Sequence, residues 1–194
     1  MKMVKLIGNK RVDDSEEIIL ESTGGVLECY EGVGDDGNPV YVVYIDECIR
    51  NPSYYRGVMN VLTNATEDDK IVFRINTPGG DLETTISLIA AIRATKAATH
   101  ASVSGQCMSG GALLAMVCDE ISIAPHTAFM IHTYHGLLDG TSCDHLAQAS
   151  FGQKRIEAVY QDVFGELLTE DEMTRVLTYG LDLYLTADEV IARL

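Results

Sequence analysis

Two glycine-rich turns constrain this chain more than any other feature. Asn76-Thr77-Pro78-Gly79-Gly80 and Gly105-Gln106-Cys107-Met108-Ser109-Gly110-Gly111 each part a short apolar run from a segment of helical periodicity. Ahead of the first turn, Ile71-Val72-Phe73-Arg74-Ile75 reads as a buried strand. Behind it, Leu82, Ile86, Ile89 and Ile92 recur at helical spacing within residues 81–96. Thr99–Val103 reads as the strand before the second turn, and Ala112–Val117 as the helix after it. Glu120–Ala124 and Thr127–Ile131 follow as strands, separated by Pro125-His126. A strand that reaches its parallel neighbour needs a long crossover, usually a helix. The alternation therefore predicts an α/β domain with a largely parallel sheet.

The flanks carry weaker signals. Ile18–Leu20 and Val40–Ile45 read as short strands on either side of a turn over Gly32–Pro39, so residues 1–40 form a hairpin or an extended arm. Tyr54–Thr63 has helical spacing, and residues 141–179 read as mostly helical. Leu185–Leu194 reads as a final helix, with Thr186 as its N-cap and Glu189 three residues on, the capping-box pattern. The 194 residues, without internal repeat, fit a single domain over 1–194.

Composition narrows the function classes. A formal charge of −15 repels phosphate backbones, so no nucleic-acid partner is expected. No apolar run is long enough to span a bilayer and the N-terminus lacks a signal peptide, so no membrane association and a cytoplasmic location are expected. The cysteines, at 29, 48, 107, 118 and 143, form no C-x-x-C pair and outline neither a disulfide framework nor a zinc knuckle. His126, His132 and His135 lie close together but lack carboxylates or thiols at ligand spacing, so no metal is expected. The glycines are not followed by Lys-Ser/Thr, which excludes a P-loop.

Ser109 stands where a strand meets a helix, and a helix N-terminus favours negative charge through its unpaired N–H groups. Two readings follow: Ser109 caps the helix, or it is a nucleophile. His132 and Asp182 lie downstream and complete a Ser-His-Asp set in the second case. With 29 Asp and Glu residues, spacing alone does not select the acid. The α/β-hydrolase elbow is excluded, because Cys107 stands where G-x-S-x-G requires glycine and the order is Ser, His, Asp. A Ser109–Lys154 dyad is the alternative base arrangement. Backbone N–H groups at the Gly79-Gly80 turn are candidates for an oxyanion.

The four segments Asn76–Gly80, Gly105–Gly111, Met130-Ile131-His132 and Asp182–Glu189 together resemble the Clp protease proteolytic subunit family (ClpP-like serine peptidases). The resemblance implies a crotonase-like α/β fold: a parallel-rich sheet with helices and a protruding helical handle within 141–179. It implies a serine endopeptidase with Ser109 as nucleophile, His132 as base, Asp182 orienting it, and Gly80 and Gly110 as oxyanion-hole donors. No cofactor is implied, and polypeptides are the implied substrates. A homo-oligomeric, self-compartmentalising ring, in heptamers or stacked heptamers, is implied too. The departures carry their own expectations. Gly110 replaces a family Met, which implies a wider pocket. Leu181 replaces the Arg that couples rings. The opening residues differ from those that meet an AAA+ unfoldase, so that partner is not implied. Such departures resemble divergent phage-type members, among them head-maturation proteases; a non-catalytic ring or assembly protein of the same fold, and an acyl-CoA-processing crotonase enzyme, are the other readings.

Overall fold

The computed structural model describes residues 3–6, 29–34, 37–136 and 139–194. The strands are β1 (Met3–Leu6), β2 (Cys29–Val33), β3 (Pro39–Ile45), β4 (Lys70–Thr77), β5 (Ala98–Met108), β6 (Glu120–Ile123), β7 (Ala128–Ile131) and β8 (Leu183–Thr186). The helices are α1 (Arg56–Asn64), α2 (Leu82–Ala94), α3 (Gly110–Val117), α4 (Ser142–Phe164), α5 (Glu170–Leu177) and α6 (Ala187–Arg193). All eight strands join one sheet in the order β1-β6-β5-β4-β3-β2, with β7 also on β5 and β8 on β7. Five pairings are parallel; the outer β2–β3 and β7–β8 pairs are antiparallel, so the domain is α/β with a mixed sheet.

Alternation along β4 shows why the strand forms. Ile71, Phe73, Ile75 and Thr77 are buried on one face, while Lys70, Arg74 and Asn76 are exposed on the other. The buried face meets α3, where Gly111 lies against Thr77 and Ile75. Every residue of α3 from Gly110 to Met116 is buried. An all-apolar helix of this kind belongs in the middle of a core rather than on its surface. The Ser109 turn is therefore anchored at its back by the best-packed helix of the domain.

Two sequence expectations need correction. The strand read as ending at Val103 runs on to Met108. Its pairing with β4 passes from Ile75↔Val103 to Thr77↔Cys107, so β5 holds two extra residues there. Gly105, at φ +68°, sits in this bulge, and Asn76 Oδ1 accepts from Gln106 N–H at 3.0 Å. Leu185, read as helical, lies in β8; only from Ala187 does the chain coil, behind the expected Thr186–Glu189 capping box. The segment before β3 is a hairpin, with β2 antiparallel to β3, whereas Ile18–Leu20 lie outside the described residues.

Helix α4 falls in the segment expected to form a handle. Its N-terminal half is exposed, with Leu146 at 74% and Phe151 at 67%, and only Ile156, Tyr160, Val163 and Phe164 are buried. Two ion pairs tie it to α2: Arg155 to Glu83, bidentate at 2.5 and 2.7 Å, and Arg93 to Asp162. Among the described residues no helix is long and apolar enough to cross a membrane.

Candidate active site

Ser109 is one of two non-glycine residues among those described with positive φ, at φ 53° and ψ −118°. Its N–H donates to Met130 O at 2.7 Å, and its own carbonyl accepts from Leu113 N–H at 3.2 Å, which opens α3. The side chain makes no capping bond. The hydroxyl instead lies 2.8 Å from His132 Nε2, at hydrogen-bond distance. The simple helix-cap reading is thereby set aside. The strained strand-to-helix corner turns the hydroxyl away from the helix amides and toward a base.

Sheet register brings His132 to Ser109. β7 pairs with the end of β5, Met108 opposite Met130, so Ser109 and His132 leave neighbouring strands at the same edge. Buried Tyr160 on α4 donates its hydroxyl to the His132 carbonyl. The ring of His135 stands edge-on to that of His132, with centroids 4.9 Å apart. Partial burial pushes the His132 pKa below the ordinary value, nearby His135 pushes the same way, and Asp182 opposes both. A lowered value keeps the imidazole unprotonated, and so competent as a base, further into acid. Acylation of Ser109, followed as labelling rate against pH, is therefore expected to hold its plateau below about pH 6.5, the unperturbed histidine value. A midpoint above that value would contradict this assignment. The same sign applies to stability: the unfolded chain takes up the proton more readily, so the His132 contribution is lost as pH falls below about 6.5.

The other expected residues are distributed unevenly. Asp182 is exposed, in the segment before β8, and makes no hydrogen bond to His132; its influence is through charge alone. Lys154 is exposed and does not line the cleft, which removes the Ser–Lys alternative. Gly80 and Gly110 both line the cleft beside Ser109. The two glycine turns touch: a Cβ on Gly79 would come 2.6 Å from Ser109 Cβ and 3.0 Å from Gly110 N. Ile49 clasps the first turn, its N–H donating to Gly79 O and its carbonyl accepting from Asp81 N–H, both at 2.8 Å. At Gly110 a Cβ would meet buried Thr85 Oγ1 at 2.6 Å. Position 110 is thus glycine because Thr85 fills the space, and the expected widening of the pocket does not follow.

The cleft holds about 790 Å³ and runs between the N-terminal turns of α2 and the inner face of α4. Leu82, Ile86, Leu113, Phe151 and Ile156 give it apolar walls, and the Glu83–Arg155 pair bridges it. Among the described residues no group of three His, Cys, Asp or Glu is placed to hold a metal ion. Sequence reasoning missed Tyr160 and left His135 without a role. Tyr160 follows Ile156 by four residues and looks like one more core position on an apolar stripe.

Fold and site together define an α/β domain with a serine–histidine pair at the carboxyl ends of adjacent strands. A family model for the NfeD1b N-terminal domain matches residues 39–158, more than half of the chain. The chain belongs to that family. Among curated proteins none matches it. The family match overturns the Clp-subunit resemblance, and with it the ring-forming endopeptidase built on a Ser109–His132–Asp182 triad. There is a physical reason for the mistake. The resembling motifs are short turns and strand ends, such as any parallel sheet presenting a serine beside a histidine requires. The family match is continuous through Ser109 and His132 and stops before Asp182, the residue that the structure leaves unjoined to the imidazole.

Proposed function

We propose that this domain is an acyl-transfer enzyme in which Ser109 and His132 act as a dyad. The observation that carries the reading is the 2.8 Å bond from the strained Ser109 hydroxyl to His132 Nε2 in a cleft large enough for a substrate. Ser109 Oγ attacks an acyl carbonyl while His132 Nε2 takes the hydroxyl proton. The carbonyl oxygen becomes an oxyanion facing the N–H groups of Gly80 and Gly110. As the tetrahedral intermediate collapses, His132 returns the proton to the leaving group and the acyl chain remains on Ser109. Water, deprotonated by the same imidazole, then releases it. The twin glycine turns at the ends of β4 and β5 support this assignment of the oxyanion donors. They are what a crotonase-like scaffold would use for the same purpose.

A fluorophosphonate probe tests the proposal. Its expected result is one phosphonylated residue, Ser109, by peptide mapping, with matching loss of p-nitrophenyl ester hydrolysis. Folded protein that takes up no label, or takes it elsewhere, would remove the proposal.

A further inference from the structure

Among the described residues His132 has no hydrogen-bonded carboxylate of the kind that ordinarily fixes a catalytic imidazole. We infer that Tyr160 takes over that positioning task by holding the backbone of His132 rather than its ring; this rests on the dyad reading above. The imidazole hangs from the end of β7, and residues 132–136 have no regular structure. Tyr160 donates its hydroxyl to the His132 carbonyl from the one half of α4 that is buried. The phenol is 2% exposed, and its ring packs edge-on against Phe164 at 5.1 Å between centroids, so its own position is settled by the core. The adjoining loop also rests on α4: the Tyr134 ring lies so near Gly152 that a Cβ there would sit 2.1 Å from the tyrosine hydroxyl oxygen. A glycine in mid-helix is otherwise unfavourable, and here it admits the loop. The imidazole is thus referenced to α4 at two points, and to Asp182 through no bond.

Misplacing a reacting group by about 1 Å can cost about 100-fold in rate. Tyr160→Phe removes the donor and keeps the ring. The expected result is a fall of about 10- to 100-fold in the fluorophosphonate labelling rate. With ester substrate, kcat should fall while KM holds. In a His132→Ala background the same change should have no further effect, because Tyr160 acts through His132. Replacing residue 160 by 4-aminophenylalanine, which restores an N–H donor, should recover most of the rate. The nitrogen NMR signals of the His132 ring give a readout without substrate and are expected to move in Tyr160→Phe. If the native protein takes no label yet those signals move, the dyad reading falls and the positioning role stands. An unchanged rate with unchanged signals would overturn the inference, as would an equal loss in the His132→Ala background.

Discussion

His132→Ala is expected to slow acylation of Ser109 by about 10²–10⁴-fold, the usual contribution of a general base, while Asp182→Asn stays within about tenfold of the parent. The contrast is the informative part. Where three groups act as a unit, removing the acid also costs orders of magnitude. Here Asp182 is exposed and unbonded to the imidazole, and it acts only as a charge that favours the imidazolium. Its field is partly screened by solvent. Single-turnover labelling of the two variants, each checked by circular dichroism, decides the matter. An Asp182→Asn loss as large as that of His132→Ala would restore the third member.

Gly79→Ala carries a large expected structural penalty. Gly79 has φ +95°, and a Cβ there would lie 2.6 Å from Ser109 Cβ and 2.9 Å from the Met108 carbonyl oxygen. The first obstacle is attached directly to the Ser109 backbone and the second is backbone itself, so neither can swing aside. A loss of about 3–5 kcal/mol is expected, from strained dihedrals and overpacking together. That is a large part of the total stability of an ordinary domain. Gly37→Ala is the control. It shares the positive φ, at +81°, but a Cβ there meets nothing within 4 Å. It should cost only about 1–2 kcal/mol, the left-handed penalty alone. Urea unfolding of both variants separates dihedral strain from collision. Equal losses would mean that the two turns do not press on each other as described.

The sequence announced the parts of the fold that rest on local periodicity. β4 alternates so cleanly that burial follows directly from residue type, whereas α2 buries Thr84 and Thr85 while Leu82 and Ile86 of its apolar stripe are only partly buried. β8 was hidden because its four residues run straight into the α6 capping box, and a strong helix start drew Leu185 into the wrong element. The extension of β5 was hidden because Gly105 reads as a turn. Only Asn76, thirty residues earlier, reveals that the chain bulges and continues. Ser109 and His132 were singled out through resemblance, since a serine before paired glycines reads locally as a helix cap and a histidine at a strand end as structural. Their pairing depends on the β5–β7 register, which is a long-range property. Asp182 was chosen through resemblance, and no local pattern could show that its carboxylate stands apart. Tyr160 was invisible for the opposite reason: its hydroxyl reaches backbone, and a carbonyl leaves no trace in residue type.

β5 is shared along its length. Its first half pairs with β6 through His100–Val103, and beyond the bulge its last residues pair with β7 through Gln106–Met108. The sheet forks at that point, and the fork brings residues 109 and 132 together. Main-chain ladders, not the two side chains, hold that meeting place. The chemistry is thus a tenant of the scaffold. An ancestor or descendant lacking either side chain would keep the same forked sheet, so gain or loss of reactivity could proceed by single codon changes without a new fold.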